Sequence, residues 1–158
     1  MFSGAVISSP LLKLPNNMDT PINRMIAKVM SKLLPDFSNG RKLPDPTSDK
    51  HWMKVIQKDP MFWKGGDKAD FSHAMFKSMD NVRLQYKSFR TPFLLMLSEN
   101  DSLVDPKGGK QFYKEAPSRD KSILFFNDGI HHFFIEKPSI RNYAISSAIK
   151  WIINRISD

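Results

Sequence analysis

The chain has 158 residues, with 41% hydrophobic residues, 25% charged residues and no cysteine. That is the size and mix of one folded domain; it excludes wholesale disorder, disulfides, cysteine-based metal sites and a thiol nucleophile. The 24 Lys and Arg against 16 Asp and Glu leave a net charge of +8, spread evenly over both halves without a basic tail or an Arg–aromatic ladder, so a solvated lysine-rich surface is favoured over a nucleic-acid footprint.

No apolar run is long enough to span a bilayer, and no basic segment followed by an apolar stretch opens at Met1. These features suit a cytoplasmic chain, with peripheral membrane contact left open by the positive charge.

The first predicted element is a short buried strand over residues 3–9, Ser-Gly-Ala-Val-Ile-Ser-Ser before Pro10. Thr20-Pro21 then reads as a helix start, a capping hydroxyl followed by proline in the first turn. Ile22, Met25, Ile26, Val29, Met30, Leu33 and Leu34 recur at helical spacing, and Pro35 ends the pattern. Such a stripe is either an ordinary core face or a mobile lid over an apolar cavity, since methionine adapts to varied partners.

Residues 40–49, with Gly40, Pro44 and Pro46, read as a loop, followed by a short helix from Lys50 to about Lys58. Gly65-Gly66 is a turn, and residues 70–87 look helical. Phe93 to Leu97 is a continuous apolar run expected to be buried on both faces. A polar loop over 98–105 precedes a helix from Pro106 to about Glu115, weakened by Gly108-Gly109. Residues 122–126 give a third strand, Asn127 to Ile130 a turn, and Pro138 to Ile156 a strong final helix.

Buried strands alternating with helices imply a parallel sheet in an α/β fold. Residues 14–89 are too long for a single crossover and are expected to stand off the sheet as a helical insertion.

Two residue types capable of joint chemistry fall at neighbouring strand ends. Asp101 follows the second strand and His132 lies in the loop after the third. Open parallel sheets build their sites at the carboxyl ends of strands. There, an acid can fix the tautomer of a histidine that activates a hydroxyl. A metal site is disfavoured: the four histidines, His51, His73, His131 and His132, include no His-x-x-x-His pair. The glycine pairs lack the spacing of a phosphate loop, and no cofactor is expected.

Taken together, Ser3 to Pro10, Pro92 to Pro106 with its Asp-x-x-Val-Asp-Pro, and Asp128-Gly-Ile-His-His132 followed by Glu136-Lys-Pro138 resemble the carboxyl-terminal half of the monoacylglycerol lipases. More broadly, the chain is similar to the lysophospholipase-like serine hydrolases of the α/β-hydrolase fold. The resemblance implies a partial fold of about three parallel strands with flanking helices and a helical cap over residues 14–89. It also implies Asp101 as acid, His132 as base, and a lipid ester as substrate. Ile22, Met25, Ile26 and Val29 of the cap helix, with Leu103, would contact the acyl chain, and the cap would meet the membrane.

One departure matters. The family's nucleophile motif, Gly-x-Ser-x-Gly, occurs nowhere in the chain. The expectation is therefore the carboxyl-terminal portion of an ester hydrolase, inactive alone, with Met1 either internal to a longer protein or the start of a truncated gene. Two alternatives stay open: a non-catalytic remnant binding lipid or protein, and a broad esterase or peptidase of the same fold. Oligomeric state, acyl length and head group leave no mark in the sequence.

Overall fold

Phe93–Leu97, the most uniformly apolar run of the sequence, forms the central strand β2 of a three-stranded sheet. In the computed structural model, which describes residues 3–15, 18–38, 40 and 42–156, all five β2 side chains are essentially inaccessible to solvent. β1 (Ala5–Ser8) and β3 (Lys121–Phe125) flank it, both parallel to it. The outer strands are each slightly displaced from the expected ranges of 3–9 and 122–126. Among the described residues β1 is paired on one side only.

The alternation of β2 sorts the core into two layers. Leu94 and Met96 pack with Phe126, Phe133, Ile140, Ala144, Ala148 and Trp151, most of them from the final helix α5 (Pro138–Ile156). Phe93, Leu95 and Leu97 pack on the other side with Leu12, Tyr86, Phe112 and Ala116. Phe112 belongs to α4 (Pro106–Glu115), which is capped by the Asp105 carboxylate accepting from the Lys107 amide.

The glycine pair that weakens the first turns of α4 has a packing reason. A β-carbon on Gly109 would stand 2.7 Å from a Leu97 methyl, and one on Gly108 would stand 2.9 Å from the Leu12 backbone. The lost helix propensity, about 1 kcal/mol per glycine, is the cost of laying α4 directly against the sheet.

Between β1 and β2 the chain runs through α1 (Pro21–Leu33), α2 (Lys50–Lys58) and α3 (Ala69–Gln85). Thr20 caps α1 as its sequence indicated, its hydroxyl accepting from the Asn23 amide at 3.1 Å. α1 and α3 pack around a small cluster of their own, Leu14, Ala27, Phe76 and Met79.

The α1 contact face is not the apolar stripe. Ala27 is the buried residue of the helix, and Arg24 beside it binds Asp19 and Asp80 and lies 5.0 Å from the Phe76 ring centre. Ile22, Met25, Val29 and Leu33, away from that face, are exposed by 48–70%, and Ile26, half exposed, borders the space between α1 and α3. The core-facing reading does not hold for most of that stripe; Met30, partly buried, and Ile26 are its members turned toward α3. A short polar–aromatic seam centred on Ala27 replaces the rest.

Candidate active site

The site is assembled where β2 and β3 release the chain. Immediately after β2, Ser98 is buried and donates its hydroxyl to the Gly129 carbonyl at 2.5 Å, tying the two strand ends together. Three residues further on, Asp101 folds its carboxylate back onto its own loop. One oxygen accepts from the amides of Leu103 and Val104 at 2.9 and 3.0 Å. Its other oxygen lies 2.7 Å from the Nδ1 of His131. The Asp101 side chain is only 2% exposed and that of His131 15%.

An ionised carboxylate can only accept, so the proton between the two is carried by Nδ1. The neutral imidazole then keeps its lone pair on Nε2. This is the arrangement in which a histidine abstracts a proton and a buried acid stabilises the resulting imidazolium.

The sequence expectation placed His132 in this role; in the structure His131 holds the acid instead. The register of the loop explains the difference. The Gly129 carbonyl is held by Ser98, and the Ile130 amide is held by the Glu136 carboxylate at 3.1 Å. With those two residues fixed, the next side chain in line is the one that reaches Asp101. His132 turns into a short 3-10 turn, Phe133–Ile135. Its amide donates to the Pro46 carbonyl at 2.9 Å, and its ring meets that of His131 edge-on at 4.8 Å. Burial, then the neighbouring His131, push the His132 pKa below the ordinary histidine value against the pull of Asp101. That favours a neutral ring.

Several supporting residues carried no recognisable sequence signal. Ser9, just past β1, has φ of 41° and donates its hydroxyl to the His131 carbonyl at 2.8 Å. A non-glycine residue in that region stores about 1–3 kcal/mol of strain and persists only where its surroundings hold it. Thr47, buried, donates to the Ile135 carbonyl at 2.9 Å. Glu136 is fully buried and accepts four hydrogen bonds.

The candidate substrate contacts fare unevenly. A cavity of about 320 Å³ lies between α1 and α3, lined by Leu14, Met18, Ile26, Met30, Phe37 and Phe76 among others. Ile26 lines it. Ile22, Met25 and Val29 do not, and the backbone amide of Leu103 donates to the Asp101 carboxylate at 2.9 Å. Among the described residues, no group of three or more His, Asp or Glu side chains is placed to hold a metal ion. None of the described helices is long and apolar enough to cross a membrane.

The chain is similar over nearly its whole length to known monoglyceride lipases. The chain is 26% identical to rat (Rattus norvegicus) monoglyceride lipase over 157 residues, 99% of the chain and 52% of the relative. It is 27% identical to the Saccharomyces cerevisiae monoglyceride lipase, covering 95% of the chain and 51% of the relative. The chain thus spans about half the length of these curated relatives. Among solved structures, the Paleococcus ferrophilus monoacylglycerol lipase superposes with a TM-score of 0.82 at 23% identity, over 98% of this chain and 60% of that one. A soluble variant of the yeast monoglyceride lipase superposes with a TM-score of 0.79 at 24% identity, over 97% and 56%. These likenesses give the chain the α/β-hydrolase fold. Residues 1–138 match the model of the serine aminopeptidase S33 family, Hydrolase_4, and the chain belongs to that family.

Proposed function

We propose that this chain is the carboxyl-terminal, acid–base-bearing portion of a serine hydrolase that cleaves monoacylglycerol or lysophospholipid-type esters. The Asp101–His131 pair at two adjacent strand ends carries the reading. In the proposed reaction, His131 Nε2 takes the proton of a serine hydroxyl as its oxygen attacks the ester carbonyl. It then delivers that proton to the departing alcohol, and water deacylates the enzyme by the same route. Asp101 holds the ring and stabilises the imidazolium. The nucleophile belongs to a Gly-x-Ser-x-Gly segment outside these 158 residues, so the chain alone is inactive.

Support for a lipid substrate comes from the helical insertion. Residues 14–89 form the cap, and the cavity between α1 and α3, apart from the Asp101–His131 pair, sets Ile26, Met30, Phe37 and Phe76 beside Asn23, Asp67 and Ser72, a mixed lining whose apolar part suits an acyl chain. The exposed stripe Ile22, Met25, Ile26, Val29 and Leu33 is flanked by Lys28 and Lys32, with no acidic residue in α1. Such a face rests in the interface of a bilayer with its cations near the head groups, at the cytoplasmic side of a membrane. The family's name includes peptidases, but a peptide does not call for an apolar outer stripe of this kind.

The test is complementation. The chain alone, incubated with a nitrophenyl ester and a fluorophosphonate probe, is expected to show neither turnover nor labelling. Joined to the amino-terminal half of the yeast relative, it is expected to hydrolyse a monoacylglycerol. That activity should vanish in Asp101→Asn and His131→Ala and survive in His132→Gln. Turnover by the chain alone, or loss in His132→Gln with retention in His131→Ala, refutes the assignment.

A further inference from the structure

We propose that Glu136 is a positioning residue that couples the helical insertion to His131. The proposal rests on His131 being the base. Glu136 lies five residues beyond His131 and is fully buried. A buried carboxylate is costly unless its oxygens are well satisfied, and the partners the structure gives this one are neutral donors from two separate stretches of chain. From the insertion, Ser48 gives its amide at 3.0 Å and its hydroxyl at 2.7 Å. From the base loop come the Ile130 amide at 3.1 Å and the Lys137 amide at 3.3 Å.

The distribution over the two oxygens is the informative part. Oε1 accepts from both Ser48 and Ile130, so a single atom joins the segment leading into α2 to the residue directly before His131. Two parallel bonds accompany it, Thr47 to the Ile135 carbonyl and the His132 amide to the Pro46 carbonyl. Three consecutive residues of the insertion, Pro46 to Ser48, are thereby fastened to the loop that carries the base. Burial alone would raise the Glu136 pKa; the Ser48 bonds, with those from Ile130 and Lys137, outweigh it and hold the carboxyl below its ordinary range. Because Glu136 stays charged, its bonds are charge-assisted and stronger than neutral ones. Displacement of the insertion at Ser48 pulls on Oε1 and hence on Ile130. The ring of His131 is then held against Asp101 only while the insertion is seated.

The experiment uses the 158-residue chain with 15N-labelled histidine and follows the His131 Nδ1 proton by NMR, in the parent and in Asp101→Asn, Glu136→Gln, Ser48→Ala and Ser48→Thr. The parent is expected to show a slowly exchanging downfield proton that Asp101→Asn abolishes. Glu136→Gln should speed its exchange with solvent about tenfold, the scale of one lost charge-assisted bond. Ser48→Ala, remote from the imidazole, should speed it severalfold, and Ser48→Thr should restore the parent value. If Glu136→Gln fails to fold, Ser48→Ala carries the test by itself. Unchanged exchange in the folded Glu136 and Ser48 variants, with the Asp101 effect intact, overturns the coupling alone. A proton indifferent to Asp101→Asn overturns the acid–base pair and this proposal with it.

Discussion

The sheet layer and the helical insertion solve the problem of burial in opposite ways. Around β2, aromatic and aliphatic side chains close over both faces, and the rings of Phe126 and Phe133 stack at 4.2 Å. Among the described residues of the insertion, α1 and α3 share a buried cluster of four, Leu14, Ala27, Phe76 and Met79, braced with charge, Arg24 bridging Asp19 and Asp80 beside the Phe76 ring. The insertion's largest apolar surface is turned outward. Exposed apolar side chains occur in both regions, Ile149, Ile153 and Ile156 on α5 as well as Ile22, Met25 and Val29 on α1, but only α5 has a broad buried face beneath them.

The contrast can be broken at its strongest point. Phe133→Ala, in the fully buried layer between β2 and α5, should lower stability by about 3–5 kcal/mol and unfold the whole chain in one transition, read by denaturant titration with circular dichroism and tryptophan fluorescence. Survival of a cooperative sheet with a loss below about 1 kcal/mol would mean that the layer is less tightly packed than its burial indicates.

An intermediate effect is expected at the joint between the two regions. The Glu136 pKa is depressed in the folded chain, so the unfolded chain binds its proton first as pH falls. Its stabilisation is fully present above the ordinary glutamate value of about 4.3 and is lost below it, through the folded pKa. His132 adds an earlier loss. Its pKa is also lowered on folding, so its contribution falls away as pH drops below about 6.5. Melting temperature should therefore decline in two steps on acidification. Glu136→Gln should flatten the second step and leave the first; His132→Gln should do the reverse.

The smallest effect on stability belongs to the outer face. Met25→Glu and Val29→Glu should each change folding by no more than about 0.5 kcal/mol, because both side chains are exposed and neither lines the cavity between α1 and α3. The same substitutions should release the chain from vesicles of anionic phospholipid in a sedimentation assay. A collapse of folding instead would return the stripe to an ordinary core role.

The ease with which these regions are read from sequence differs for physical reasons. β2 announces itself because a strand covered on both faces needs no polar residue, and Thr20-Pro21 announces α1 because capping is local chemistry. Periodicity shows that α1 has an apolar face but not where that face points; Arg24 and Ala27, which decide it, look unremarkable in a list of residues. Spacing does not reveal which of two adjacent histidines meets Asp101, since that follows from bonds to Gly129 and Ile130 from Ser98 and Glu136, distant in sequence or silent in pattern. A single glutamate before Lys137-Pro138 has no motif to distinguish it; only the fold reveals that its oxygens join two loops.

Gly4 has a consequence that reaches across the molecule. A β-carbon there would come within 2.5 Å of the Trp151 ring. That ring cannot swing aside freely, because the Arg155 guanidinium lies 3.8 Å over it and is itself anchored to Asp120. The entry to β1 and the last turns of α5 are therefore sized to one another, as a mortise is to its tenon. A side chain larger than glycine at position 4 fits only beside a residue smaller than tryptophan at position 151. The bulk at one end of the sheet's first strand is thus set by the bulk at the end of the last helix.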